Sequence, residues 1–358
     1  MMGSIMNLYD SKLYMEDVRY VAGLDLPWEE LRNKSILLSG ATGLLGSFLI
    51  DVLMEKNGGG LGCTVYALGR SEEKAKIRFS KYINNSKLVF IPYDVKQPFI
   101  CDDIEIADYV LHLASNTHPV QYATDPIGTI TTNIIGLQNM LDFAVEHHAA
   151  RFAFASSNEI YGENRGDVEF FAESYCGYID SNTLRAGYPE SKRCGEALCQ
   201  AYKIQKGLDI VIPRFTRSYG PTMLMSDTKA LSQFIKKGIA GEDIVLKSTG
   251  TQFYSYQYVA DSVSGLLTVL LCGESGEAYN IAEEHSDIML KDLAAIIAKC
   301  SGKSVVFEIP DAVEAAGYSR ATKARLDGHK LQALGWKPRY EIHDGIARTI
   351  QILKDLKE

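Results

Sequence analysis

No stretch of this sequence is apolar for long enough to cross a bilayer as a helix. The longest such run, VSGLLTVLLC at 263–272, has about half of the roughly 20 residues required. The N-terminus, MMGSIMNLYDSKLYMEDVRYVAG, mixes charges and lacks the basic segment followed by an apolar one that marks a secretory signal. A C-x-x-C pair is missing too. The seven cysteines are odd in number, and Cys194 and Cys199 have no histidine near them in sequence. This argues against a disulfide framework and against a zinc site, and the thiols read as small, reduced core residues. Basic charge is scarce, with 37 Lys and Arg against 45 Asp and Glu and a net charge of −8. A nucleic-acid binder usually carries the opposite balance, although a local arginine cluster can still hold a small anion. Neither an internal repeat nor a low-complexity segment is visible. The expectation is a soluble cytoplasmic protein with no metal, no nucleic acid and no membrane among its partners.

What is present is a long alternation of strand and helix patterns. The 358 residues are 46% hydrophobic, ample for a large core and long for one simple domain. Strands are expected at 35–39, 63–69, 87–94, 108–115, 151–157 and 209–215, with helices between them, notably at 44–56, 132–148 and 188–206. Such alternation predicts an α/β fold with a doubly wound parallel sheet. After about residue 215 the pattern is less regular, with short strands near 244–246 and 278–281 among helices near 228–238, 261–271, 289–300 and 342–356. The division that follows is an N-terminal extension at 1–34, with Trp28 as an anchor, and a dinucleotide-binding Rossmann domain at 35–215. A smaller C-terminal α/β substrate lobe, partly interleaved, takes up 216–358. In a doubly wound sheet the ligand crevice lies at the carboxyl ends of the strands.

The segment LLSGATGLLGSFL (37–49) follows the first strand and opens a helix. Its Gly40, Gly43 and Gly46 let a backbone approach a pyrophosphate, and the helix aims its N-terminus at that charge. A carboxylate often ends the second strand to hold a ribose 2′-hydroxyl; here that strand ends in Gly69 and Arg70. An arginine there can accommodate a 2′-phosphate or stack on adenine, and the expectation leans to NADP over NAD. Asp94, ending the third strand, is placed for the adenine. Further on, YPESK sets Tyr188 and Lys192 four apart, on one helix face. A tyrosine is a poor base at neutral pH, and a nearby ammonium is expected to favour its phenolate. The pair can then take a hydroxyl proton as hydride leaves the carbon.

These segments, with HLAS (112–115), TNIIGLQNML (132–141), SSNEIYG (156–162), RFTRSYGP (214–221) and ARLDGHKLQALGWKP (324–338), occur in the order seen in extended short-chain dehydrogenase/reductases. The chain resembles the nucleotide-sugar epimerases and dehydratases of that group over nearly everything after residue 34. The resemblance implies a bound NAD or NADP held by Gly40, Thr42, Gly43, Leu44, Leu45, Gly46, Arg70, Asp94, Val95, Leu113, Ala114, Ser115 and Asn133, together with Tyr188 and Lys192. It also implies a nucleoside-diphosphate sugar as substrate and a homodimer. Ser157 would bond the reacting hydroxyl beside Tyr188, and His118, Asn158, Arg185, Arg217, Tyr254 and Arg325 would line the substrate.

Glu159 separates the possible reactions. Simple epimerases and reductases of this type need only serine, tyrosine and lysine. Oxidation at C4 makes a ketone that acidifies the C5 proton, which a glutamate can remove, or that lets a C5 carboxylate leave as carbon dioxide. Asn158 cannot act as a general acid, so the acid-plus-base pair of a dTDP-glucose dehydratase is incomplete. The surroundings, HLASNTHPVQYATDP and RAGYPESKRCGEALCQAY, look like the UDP-glucuronate decarboxylase branch. The expectation is C4 oxidation followed by decarboxylation or dehydration. A 4-epimerase or 4-ketoreductase in which Glu159 only orients substrate is the alternative, and an inactive cofactor-sensing scaffold is another. A plain salt bridge is the non-catalytic role open to this glutamate. Two departures stand out. Tyr254 occupies the place where the resembled enzymes carry a diphosphate-binding arginine, and Arg217 stands where they have asparagine.

Overall fold

Eight strands form one fully parallel sheet, and their apolar runs explain why. In β1 (Ser35–Ser39), Ile36 and Leu38 enter one core while Leu37 enters the other, the alternation a pleated strand imposes when both of its faces are covered. Next to β1 lie β2 (Thr64–Gly69) and, beyond it, β3 (Leu88–Pro92) on one side. On the other side come β4 (Tyr109–His112), β5 (Arg151–Phe154) and β7 (Ile210–Phe215), with the two-residue β6 (Ser156–Ser157) paired to β7. The computed structural model describes residues 7–101, 104–117, 119–308 and 322–356. Strand order reverses between β1 and β4, so the loops that follow these two strands open a crevice at the carboxyl edge.

Helix α1 (Lys12–Ala22) comes from the N-terminal segment, capped by Ser11, whose hydroxyl accepts from the Tyr14 N–H at 3.3 Å. It packs on the face that also holds α2 (Leu44–Gly58) and α8 (Val259–Cys272). The short α3 (Glu72–Arg78) follows β2. On the opposite face lie α5 (Pro126–Glu146) and α6 (Gly187–Lys206), preceded by the one-and-a-half-turn α4 (Pro119–Thr124). Leu137, Met140 and Phe143 of α5 and Cys199 of α6 fill the second core against Val110, Phe152 and Ile210.

The rest of the chain builds smaller layers. In a second sheet, β10 (Phe253–Tyr258) is flanked by β8 (Arg217–Tyr219), β12 (Asp287–Met289) and β14 (Lys323–Ala324). A two-stranded piece joins β9 (Ile244–Leu246) to β13 (Val305–Phe307), near α7 (Ala230–Ala240) and α9 (Leu290–Ser301). β11 (Ala278–Ile281) returns to the edge of the large sheet beside β7.

Two fully buried aspartates fasten the N-terminal segment. Asp17 accepts from Tyr258 and Tyr340 hydroxyls, each at 2.6 Å, and pairs with Arg348 at 2.8 Å. Asp51 accepts from Tyr14 and from Tyr9, the latter at 2.9 Å, and pairs with Arg78 at 2.5 Å. Trp28 is buried, and its indole N–H donates to the Leu24 carbonyl at 2.8 Å. All seven cysteines are free. Among the described residues no helix is long and apolar enough to cross a membrane.

Candidate active site

The turn after β1 admits only glycine at two places. Gly40 has φ +76°, and a Cβ there would stand 2.8 Å from the backbone of Leu113 and Ala114 after β4. A Cβ on Gly46 would stand 2.4 Å from the Gly40 carbonyl. Helix α2 starts at Leu44 with Gly43 as its N-cap, and no side chain caps it. The first-turn N–H groups, those of Leu44, Leu45 and Gly46, are thus available to an anion. Thr42 lies near Gly69, the last residue of β2, and Thr222 donates to the Leu44 carbonyl at 2.8 Å. This backbone cradle fits the pyrophosphate of a dinucleotide. Arg70 is exposed at the end of β2 and has no ion pair among the described residues. Asp94 is half-exposed and accepts from the Lys96 N–H at 3.1 Å. Val95 is buried against Gly136.

A hydrogen-bonded chain runs from the loop after β4 into α6. The Ser115 hydroxyl donates to Asn133 at 2.7 Å, the Asn133 amide donates to Ser191 at 2.8 Å, and the Ser191 hydroxyl donates to the Tyr188 carbonyl at 2.8 Å. The chain fixes the start of α6, and with it Tyr188 and Lys192, both buried. Burial raises the Tyr188 phenol well above its ordinary value, and the charge of Glu159 adds to this. Hydrogen bonds with Ser157 and Ser115, and the charge of Arg185, pull the other way. Here the structure departs from the sequence expectation, since desolvation outweighs any help from an ammonium. Lys192 instead donates to the Ala155 carbonyl at 2.8 Å and lies over the Phe154 ring. Burial lowers its amine to about 7, so it is poised between charged and neutral forms.

Ser157 is buried and accepts from the Glu159 N–H at 3.2 Å, capping the single turn Asn158–Tyr161. That turn presents Glu159 beside Tyr188, and Asn158 is buried within it. Glu159 is held by Arg185 at 2.8 Å, so its carboxylate already has an ion-pair partner. Arg185 in turn lies over the Tyr122 ring, and Tyr122 stacks on Tyr188 with centroids 4.9 Å apart.

On the second sheet, the Arg217 guanidinium sits 3.6 Å from the centroid of Tyr254. Its Nη1 is buried with no hydrogen-bond partner among the described residues. Arg325 is occupied differently: it pairs with Asp287 at 2.7 Å and Glu169 at 2.9 Å, with its guanidinium over Phe170. His118 lies outside the described residues.

Sequence reasoning passed over several neighbours of these groups. Tyr122 and Ser191 sit inside HLASNTHPVQYATDP and YPESK, but their contacts depend on the fold. Lys229 donates to Thr117 at 3.2 Å and pairs with Asp227, joining the loop after β4 to the segment before α7. Arg214 pairs with Glu196 at 2.6 Å, and Ser156 donates to the same carboxylate. His112 meets the Ser39 hydroxyl at 2.8 Å through Nδ1, while its Nε2 is buried without a partner. Burial, with the Lys192 charge nearby, lowers it to about 3 and keeps it neutral.

The model of the NAD dependent epimerase/dehydratase family matches residues 36–282. The chain belongs to this family. Members are NAD-dependent enzymes of the extended short-chain dehydrogenase/reductase type, and the expected fold class is the one observed. A UDP-glucuronic acid decarboxylase 1 from Xenopus tropicalis is 32% identical over 326 residues, 91% of this chain and 73% of that protein. UDP-glucuronic acid decarboxylase 3 from Arabidopsis thaliana is 32% identical over 314 residues, 88% of this chain and 87% of that one. Among solved structures, a UDP-glucuronic acid 4-epimerase from Bacillus cereus, in complex with UDP-glucuronic acid and NAD, superposes with a TM-score of 0.77 at 23% identity, covering 90% of this chain and 99% of that one. A dTDP-glucose 4,6-dehydratase from Streptomyces venezuelae gives 0.75 at 23% identity, covering 89% and 97%. For this family member, the uncapped α2 and the Gly40–Gly46 turn are where the chain's own groups suit a dinucleotide.

Proposed function

We propose that this enzyme oxidises C4 of a nucleoside-diphosphate sugar and then decarboxylates or dehydrates it, with a UDP-hexuronate as the first substrate to try. The observation that carries the proposal is the grouping of Ser115, Ser157 and Glu159 around the buried Tyr188 phenol at the carboxyl edge of the sheet. The similarity to UDP-glucuronic acid decarboxylases supports the choice of decarboxylation. When bound, the nicotinamide of NAD or NADP supplies the hydride acceptor. Tyr188, as the phenolate, takes the C4 hydroxyl proton at its phenol oxygen, and Ser157 bonds the same substrate oxygen. Lys192, in its protonated form, supplies a positive charge close by, and burial keeps water from the reacting carbon. With C4 a ketone, loss of carbon dioxide leaves its electron pair on C5 as an enolate. Glu159 is then the group placed to deliver a proton to C5, or to remove one in the dehydration, and the hydride taken from C4 returns to the sugar to close the cycle. Arg217, over Tyr254 with a free buried nitrogen, supplies the diphosphate contact that position 254 lacks. Arg325 reaches a substrate anion only by exchanging Asp287 or Glu169 for it. NADP in preference to NAD, a homodimer and a cytoplasmic setting complete this reading.

One observation favours the second reading. Glu159 is already paired with Arg185, which suits a residue that orients substrate in a 4-epimerase or 4-ketoreductase. Glu159→Gln tests the difference. Given UDP-glucuronate, the variant should accumulate reduced cofactor and the 4-keto sugar, while turnover falls by about 100-fold, the usual worth of a positioned acid or base. Tyr188→Phe should block even cofactor reduction. Near-normal turnover in Glu159→Gln without trapped ketone would favour the epimerase, and net NADPH consumption with a keto sugar would indicate the reductase.

A further inference from the structure

The phenol proposed to move the first proton is packed against a residue that neither the glycine turn nor the tyrosine–lysine motif includes. Tyr122, on α4, is buried, and its ring lies on that of Tyr188 with centroids 4.9 Å apart and planes 24° from parallel. The Arg185 guanidinium stands 5.0 Å from the Tyr122 centroid and bonds Glu159 at 2.8 Å. The four side chains form one continuous column, Tyr188, Tyr122, Arg185, Glu159. A tyrosine on a helix can swing about its side-chain torsions, and a ring stacked on it removes most of that freedom. A cation over the second ring is drawn to its face and ties the column together.

We propose that Tyr122 and Arg185 are positioning residues for Tyr188: the Tyr122 ring fixes the phenol and keeps water from it, while Arg185 neutralises the Glu159 carboxylate beside it. This rests on the reading of Tyr188 as the proton-transfer group. Charged and polar groups stand around the phenol on several elements. Glu159 comes from the turn after β6, Arg185 from the turn before α6, and Lys192 from α6 itself. Ser157 and Ser115 reach it from β6 and from the loop after β4. Asp227, paired with Lys229, acts on Tyr122 from the segment before α7.

The column has a signature that general loosening would not produce, because its two members push the phenol in opposite directions. Tyr122→Ala lets water reach the phenol, which eases the penalty on the phenolate, so the titration of Tyr188 moves to lower pH. Arg185→Gln leaves Glu159 unopposed, so the titration moves to higher pH. Tyr122→Phe retains the ring and should leave it in place. Adding Glu159→Gln to Arg185→Gln removes the unopposed charge and should bring it back down.

The experiment is a carbon-13 NMR titration of the full chain labelled at tyrosine Cζ and loaded with oxidised cofactor, without any nucleotide sugar. Among the 20 tyrosines, the Tyr188 signal is the one lost in Tyr188→Phe. Shifts of roughly half a pH unit or more in the stated directions, with recovery in the double variant, support the proposal. Unchanged midpoints, or shifts of the same sign in Tyr122→Ala and Arg185→Gln, overturn it. Should Tyr122→Ala fail to fold, Tyr122→Leu and the arginine series test the same opposition of signs. No sugar is present, so a wrong substrate assignment would leave this result standing, and the reverse holds too.

Discussion

The turn at Gly40–Gly46 and the strand pair β8–β10 are both assigned to phosphates here, and they are made of opposite materials. The turn works through the backbone. Gly40 and Gly46 are required because a Cβ would strike the Leu113–Ala114 backbone or the Gly40 carbonyl, and its positive end is the uncapped start of α2. The strand pair works through one side chain: Arg217 lies on Tyr254, with a buried nitrogen that has no partner. A backbone site cannot be relocated without refolding the turn. A side-chain site can pass from one strand to the next, since β8 and β10 are hydrogen-bonded neighbours with Arg217 in register with Tyr256. A phosphate-binding arginine could thus be re-sited between these strands, and the glycine turn could not.

The sharpest break of this comparison is Gly46→Val. The added carbons meet the Gly40 carbonyl and the Ala41 Cα at 2.4 and 3.0 Å, and neither is the end of a flexible side chain. Overpacking of this kind costs about 1–3 kcal/mol. Because it distorts the cradle itself, cofactor affinity should fall by about 100-fold, with a lower Tm, both measurable by calorimetry. If the variant bound cofactor normally, the turn would not be the cradle.

A milder test addresses the strand pair. Arg217→Ala should raise the KM for the nucleotide sugar by roughly 10- to 100-fold, since a charge-assisted contact of about 1.5–3 kcal/mol is lost. Cofactor affinity should not change. Adding Tyr254→Arg should recover much of the loss if the arginine has simply moved by one strand. A KM that ignores both changes would place Arg217 outside the site.

The same contrast governs what could be read from the chain alone. The strands of the large sheet were legible because residues such as Ile36, Leu37 and Leu38 are apolar in sequence and buried on both sides. The glycine turn was legible because its residue types are dictated locally. Helix α1 went unread as a helix, although Tyr14, Val18 and Val21 carry the helical spacing that buries it. Strand β10 went unread as a strand, although Tyr254, Ser255, Tyr256, Gln257 and Tyr258 alternate aromatic and polar residues; its polar positions are buried as fully as its aromatic ones. The pairs Arg185–Glu159 and Arg325–Asp287 lie 26 and 38 residues apart. Whether a charge at such a position is free for a ligand or already satisfied depends on which distant loop folds over it. Sequence names the charge and leaves its partner open.

The finest distinction concerns a charged side chain at the adenine end of the cofactor cradle. Arg70 closes β2 where a carboxylate would hold a ribose 2′-hydroxyl, and it is exposed. If it reads a 2′-phosphate, Arg70→Ala should weaken NADP binding and leave NAD binding nearly untouched. The effect should be small, because an exposed ion pair is worth about 0.2–1 kcal/mol and salt screens it. A loss of roughly 2- to 5-fold in NADP affinity is expected, larger at low salt. Isothermal titration of both cofactors at two ionic strengths separates the cases. A salt-dependent loss confined to NADP would make Arg70 a side-chain reader set beside a backbone cradle, and that end would then mix both materials. Equal losses for both cofactors would point to the adenine or to the fold of the β2 end. Far tighter binding of NAD than of NADP by the unaltered protein would sink the NADP assignment and leave the glycine turn as the whole of the cofactor end.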